Sequence, residues 1–189
     1  QGHPITDVHI SRSASILAHP EAHFTMARPG LMLYGVYPSP EFSPRADLRP
    51  VMAVKTEIVQ LKSVPPGTSI SYGRTFRARR ETRVATIAIG YADGLSRHLS
   101  NRGEALVRGR RCPVIGRVCM DLTMLDTTAV ADARVGDEVV LIGSQGKERI
   151  TAEEMAEKIG TISYEVLCGI SKRVPRRYVD ASGMTPDTI

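Results

Sequence analysis

Three tyrosines stand in settings built for close approach: Ser71-Tyr72-Gly73-Arg74, Ile89-Gly90-Tyr91-Ala92-Asp93-Gly94 and Ser163-Tyr164-Glu165. A flanking glycine lets the backbone turn and lets another group reach the ring. A phenol can carry a proton to or from a substrate, but its unperturbed pKa near ~10 means that nearby cations and hydrogen bonds must hold the phenolate at neutral pH. Taken one at a time, each tyrosine reads as readily as core or interface packing. The usual motif-borne chemistries are missing, for the chain has no P-loop, no G-x-G-x-x-G turn, no H-E-x-x-H and no G-x-S-x-G.

The elements that must position these rings fall into two stretches. In the first, Asp7 to Ile10 reads as a short strand and Ser11 to Ala22 as a helix. Thr25 to Arg28 reads as a second strand running through Pro29-Gly30 into the apolar run Leu31 to Gly35, an order typical of an α/β layer. One such unit cannot close a sheet. Pro38, Pro40, Pro44 and Pro50 then mark a linker, and a domain boundary is set there, dividing residues 1–50 from 51–189.

Beyond it, strand signals recur at Met52–Leu61, Val84–Ile89, Ala105–Val107, Pro113–Ile115, Cys119–Leu125 and Glu138–Ile142, with turn residues between them. This spacing predicts a twisted, mainly β domain or small barrel, so the chain as a whole is placed in the α+β class. Thr151 and Glu154 read as a capping box ahead of a helix that Gly160 ends. Ser163 reads as the cap of a second helix, and Lys172 to Val179 as a last strand before a polar tail.

Composition narrows the classes. In 189 residues, 42% are hydrophobic and 24% charged, which is the balance of a globular chain rather than a disordered one. No apolar run approaches the ~20 residues of a membrane span. Gln1-Gly2-His3-Pro4 has no signal-peptide pattern, and the abrupt start reads as a cut. Cys112, Cys119 and Cys168 have no repeated spacing, so neither a disulfide framework nor a zinc knuckle is expected, and a reducing, cytoplasmic setting fits. The sequence pI near 9.3 and the arginines at 74, 77, 79, 80 and 83 invite a nucleic-acid reading. Interrupting acidic residues and aromatics at only 5% argue against it.

What lifts the tyrosines above packing is order along the chain. Met26-Ala27-Arg28-Pro29-Gly30-Leu31-Met32-Leu33-Tyr34-Gly35, Ser71-Tyr72-Gly73, Ile89-Gly90-Tyr91-Ala92-Asp93-Gly94, Gly116-Arg117-Val118-Cys119-Met120-Asp121 and Ser163-Tyr164-Glu165-Val166 follow one another. The sequence in this respect resembles the alanine racemases, the fold-type III pyridoxal 5'-phosphate enzymes, from Asp7 to about Tyr178. The resemblance implies the terminal strands and helix of a (β/α)8 barrel, followed by the family's β-rich C-terminal domain.

It also implies roles. Tyr72 matches the tyrosine that works as acid/base on one face of the substrate Cα while a lysine works on the other. Arg28 matches the arginine that hydrogen-bonds the cofactor's pyridine nitrogen. Ser13, Gly30, Leu31 and Tyr164 match the donors around its phosphate. Met120 matches the residue whose backbone N–H holds the substrate carboxylate, Tyr91 and Tyr164 the pair that narrows the entry, and Asp121 a neighbouring orienting group. Without the resemblance Ser13 would read as a helix cap, Leu31 as core and Met120 as core filling.

The pattern is incomplete. None of Lys55, Lys62, Lys147, Lys158 and Lys172 stands in the context of the family's Schiff-base lysine. The resemblance therefore implies half of an active site, inactive alone, in a homodimer whose sites are shared across the interface. The activity implied is L-/D-alanine interconversion supplying D-alanine for peptidoglycan, with no nucleic acid and no membrane. A serine or broad-specificity racemase shares the scaffold, and the alternative outside the family is a catalytically silent β-domain acting in dimerisation or nucleic-acid binding.

Overall fold

The strand signals become a sheet because most of their apolar residues find cover within the same stretch of chain. A computed structural model describes residues 3–179. In it β1 (Val54–Val64), β2 (Ser69–Ile70), β3 (Phe76–Arg77), β4 (Thr82–Ile87), β5 (Glu104–Val107), β6 (Arg110–Pro113), β7 (Thr123–Asp126), β8 (Glu138–Gln145) and β9 (Glu148–Ile150) precede two helices, α2 (Ala152–Ile159) and α3 (Ser163–Gly169). An N-terminal helix, α1, spans Ser13–Ala18.

The main sheet runs β6-β5-β8-β1-β4-β7, with β9 paired to β8. Its long strand β1 pairs with β8 over Val54–Glu57 and with β4 over Ile58–Val64, and the register shifts between Ile58 and Gln60. That bulge bends β1 so that one strand serves two sides of the sheet. The edges β6 and β7 meet at a bridge between Val114 and Leu125, and the Ile115 N–H donates to the Met124 carbonyl at 2.9 Å. The sheet thus closes into the small barrel the turn spacing called for, which removes its open edges. Ile58, Ile87, Leu125, Val139 and Leu141 fill it, and Met155 and Val166 of the helices join the same core.

Several boundaries differ from the sequence reading. β6 lies at Arg110–Pro113 rather than Pro113–Ile115, because Arg108 and Gly109 both take positive φ and form the hairpin turn that sets its register against β5. β7 begins at Thr123, since the Cys119 N–H closes a turn onto the Leu122 carbonyl. β2, β3 and β9 were too short to announce themselves. Lys172 to Val179 forms no strand; Pro175 removes a donor there, and Tyr178 and Val179 are exposed.

The helix starts also differ in detail. Thr151 caps α2 by accepting from the Glu154 N–H at 3.1 Å, and Gly160 at φ 74 ends it. Glu154 does not complete the box; its carboxylate accepts from Arg111 and Lys158 instead. Ser163 is the first residue of α3 and not its cap, which is Ile162.

The first stretch is less regular than expected. The helix read over Ser11–Ala22 stops at Ala18, because Pro20 keeps the residue before it out of helical φ/ψ, and a 3-10 turn follows. The strands read at Asp7–Ile10 and Thr25–Arg28 are reduced to one parallel bridge, Arg12 to Arg28, with the Thr25 and Met26 N–H groups near the Val8 carbonyl. Leu31–Tyr34 is a 3-10 turn closed by Gly35 at φ 70, where a Cβ would lie 1.8 Å from the Arg49 carbonyl oxygen. Another 3-10 turn, Pro40–Arg45, interrupts the linker, and the Tyr37 hydroxyl ties it down by donating to the Ala46 carbonyl at 2.6 Å.

Candidate active site

The site residues form two clusters. In the first, Arg28 is brought beside the start of α1 by its N–H, which donates to the Ser11 carbonyl at 2.9 Å. Its guanidinium donates to the Ile10 carbonyl at 3.2 Å and stays exposed on its other side. Ser13 is buried, and its Oγ accepts from the N–H groups of Gly30 at 3.1 Å and Met32 at 3.3 Å. It is therefore no helix cap; Arg12 holds that position. A Cβ at Gly30 would meet nothing within 4 Å, so the space beside that residue is open. With both N–H groups given to its oxygen, the Ser13 hydroxyl keeps its own proton to donate, and with the open space beside Gly30 it forms a small polar cradle.

The second cluster is organised by the loop from Gly116 to Leu122. Tyr91 and Ala92 donate their N–H groups to the carbonyls of Cys119 at 2.9 Å and Met120 at 3.0 Å. Gly90 permits this, for a Cβ there would stand 2.3 Å from both oxygens. Asp93 closes the turn by accepting from the Gly90 N–H at 2.9 Å. The Ser71 hydroxyl donates to the Arg117 carbonyl at 2.7 Å, which places Tyr72 beside the same loop. The Tyr72 side chain is 74% exposed, and Tyr91 and Met120 are also exposed. Asp121 does not reach toward these rings; it pairs with Arg173 at 2.5 Å, whose Nε lies 3.5 Å from Asp93.

Tyr164, on α3, has a buried hydroxyl with no partner, the one such side-chain atom among the described residues. Its helix is fixed to the second cluster: a Cβ at Gly94 would sit 2.2 Å from the Gly169 carbonyl oxygen, and the Ser171 N–H donates to the Asp93 carbonyl at 3.0 Å. No hydrogen bond or ion pair among the described residues joins Arg28, Ser13, Gly30 or Leu31 to Tyr72, Tyr91 or Met120.

Sequence reasoning passed over Ser71, Arg117 and Arg173, which hold the second cluster together. The strongest signal for Ser71 and Arg117 was their place inside two of the ordered motifs; Arg173 had none. The basic groups are largely spent inside the fold. Arg83 donates to the Val130 and Ala133 carbonyls, Arg108 forms a two-pronged pair with Asp137, and Arg111 binds Glu104, Glu148 and Glu154. Bonding first to Arg111 and then to Lys158 holds the Glu154 carboxyl down at about 2. Burial pushes the Cys112 thiol up to about 11, so it stays a core residue and no nucleophile. No cluster of potential metal ligands occurs among the described residues, and none of their helices is long and apolar enough to cross a membrane.

Fold and clusters together define an α+β chain in which a mainly β domain presents the phenols and a short helical piece presents the Ser13 hydroxyl beside Gly30. The family model for the alanine racemase C-terminal domain matches residues 51–178, and that for the N-terminal domain residues 1–38. The alanine racemase of Halothermothrix orenii is 54% identical over 175 residues, which are 93% of this chain and 46% of that protein. Alanine racemase 2 of Caldanaerobacter subterraneus is 54% identical over 179 residues, 95% of this chain and 46% of that protein. The alanine racemase of Bacillus anthracis with bound L-Ala-P superposes with a TM-score of 0.90 at 40% identity, covering 96% of this chain and 46% of that one. The Clostridium difficile enzyme in complex with cycloserine gives 0.85 at 43% identity, over 92% and 45%.

The chain belongs to the alanine racemase family. It spans about half the length of the curated relatives it matches.

Proposed function

We propose that this chain forms part of a pyridoxal-phosphate-dependent alanine racemase that interconverts L- and D-alanine by two-base proton transfer at Cα. One observation supports the reading: within a family shared at 54% identity, Ser13 is buried against the Gly30 and Met32 N–H groups while Tyr72, in a separate cluster, is exposed. The residues present fit the cofactor. The Ser13 hydroxyl, the Leu31 N–H and the unpartnered Tyr164 hydroxyl would donate to its phosphate in the open space beside Gly30, whose own N–H would turn from Ser13 to join them. Arg28 would donate to its pyridine nitrogen. A guanidinium keeps its protons, so that nitrogen would stay unprotonated. When bound, the cofactor supplies an electron-withdrawing system that acidifies the substrate Cα.

The remaining steps belong to this chain's own groups. Tyr72 moves a proton at Cα from one face, the Met120 N–H holds the substrate carboxylate, and Tyr91 and Tyr164 narrow the approach. Asp121 serves through Arg173, which fastens the Met120 loop to the segment after α3. Among the described residues the two clusters share no polar contact, which supports pairing the cradle of one protomer with the phenol of another in a homodimer. The L-Ala-P bound to the Bacillus anthracis relative supports alanine as the substrate. Cytoplasmic D-alanine supply for peptidoglycan completes the proposal, with the domain boundary near Pro50.

The test is Tyr72→Phe in the complete enzyme, followed by Cα exchange in heavy water. Removing one proton-carrying oxygen should cut exchange from one enantiomer by about 10²- to 10⁴-fold, as for loss of a general acid/base, and leave the other enantiomer's exchange in place. Equal loss from both enantiomers would take Tyr72 out of the two-base role.

A further inference from the structure

Tyr72 is exposed, so ring contacts within its own chain do not fix where the phenol points. Its position is set by the backbone on either side. Ser71 has φ 64 and ψ 179, Gly73 φ 70 and Arg74 φ 49. A serine in that region is unusual, because its Cβ crowds the backbone, and such a conformation persists only where neighbouring contacts impose it.

The contacts are present. The Ser71 hydroxyl donates to the Arg117 carbonyl at 2.7 Å, and the same Oγ lies 3.5 Å from Cys119 Sγ. Gly116 lets the two loops meet: a Cβ there would lie 2.6 Å from Ser71 Cβ and 2.8 Å from the Ile70 carbonyl oxygen. The far side of the approach is braced as well, for Asn101 accepts from the Gly116 N–H at 2.6 Å and donates to Thr75 Oγ1 at 3.1 Å.

We propose that Ser71 is the positioning residue for Tyr72: its hydroxyl, bonded to the Arg117 carbonyl, locks the phenol-bearing turn onto the loop that carries Met120. The proton-carrying group and the substrate-carboxylate donor are thereby held in one rigid unit. This rests on the reading of Tyr72 as the acid/base residue. Loss of the bond should leave the protein folded and the cradle intact while the phenol drifts from its productive place, and a displacement of ~1 Å can cost about a hundredfold in rate.

The experiment compares Ser71→Ala, Ser71→Gly and Tyr72→Phe in the complete, cofactor-loaded enzyme. Ser71→Gly lacks the hydroxyl but adopts φ 64 without strain, so it keeps the comparison interpretable if the alanine variant folds poorly. Both Ser71 variants should lower Cα exchange of the enantiomer that Tyr72 serves by about ten- to a hundredfold and change the other by less than about twofold. Amide hydrogen exchange should quicken in the peptide over residues 69–77 and stay unchanged over 138–150. Equal loss from both enantiomers, wild-type behaviour of Ser71→Gly, or unchanged protection over 69–77 would each overturn the positioning role. If Tyr72→Phe is itself symmetric, the acid/base reading fails and this inference with it. If Tyr72→Phe is asymmetric and the Ser71 variants are not, only the inference fails.

Discussion

Ile10 and Ile58 are the same residue in two regions of one chain, and they are 63% and 0% exposed. The stretch up to Pro50 carries Ile10, Phe24 and Leu33 largely in the open, whereas the barrel buries Ile58, Ile87, Leu106 and Leu125 completely. Both regions have strand and helix signals. The barrel's strands find partners within the same stretch of chain, each bridging to the next until Val114 meets Leu125. In the first region the described residues offer only the Arg12–Arg28 bridge, so extended segments stay irregular and apolar side chains stay uncovered. Leu31 is an exception in that stretch, for it is 3% exposed. Apolar residues stabilise only where neighbours exclude water from them.

That contrast can be broken first at its strongest point. Leu106→Ala removes a fully buried side chain that packs with Val140 and Ile150, and should cost about 3–4 kcal/mol in urea unfolding. A loss below about 1 kcal/mol would mean that the barrel can collapse around the missing atoms.

The next effect is electrostatic. Arg111 on β6 binds Glu104 of β5, Glu148 of β9 and Glu154 of α2, tying three elements to one guanidinium. Arg111→Met should cost about 2 kcal/mol, between the values for exposed and buried pairs. The Glu154 carboxyl is depressed from 4.5 to about 2 in the folded state, so its contribution is full above pH 4.5 and is lost as pH falls through about 2. Glu104 is lowered too, chiefly by its bond to Lys158. The urea midpoint of the wild type should therefore fall between pH 5 and pH 2.5, and that of Arg111→Met should fall less. Parallel acid profiles would show that the network does not couple to stability.

The smallest effect belongs to the other region. Leu33→Ala, at an exposed position, should change stability by less than about 0.5 kcal/mol. Limited proteolysis sharpens the same point: early cuts should fall before Pro50 and leave a resistant fragment from the barrel onward. Survival of the opposite half would reverse the comparison.

Local chemistry was legible in the sequence wherever one residue type decides the outcome. Thr151 and Gly160 bounded α2, the turn residues spaced the strands, and five motifs in order carried the family with Arg28, Tyr72, Tyr91, Met120 and Tyr164 inside them. Those features depend on hydrogen bonds and φ preferences within a few residues. What the tertiary structure alone decided is which distant groups meet. Glu154 left its capping box for Arg111, 43 residues away, and Asp121 turned to Arg173, 52 residues away. Ser71 took a glycine-like conformation because Gly116 and the Arg117 carbonyl stand against it. Closure of the barrel likewise came from contacts that no short window contains. A side chain's choice of partner depends on competition among all groups that the fold brings near, and that competition exists only once the strands have closed.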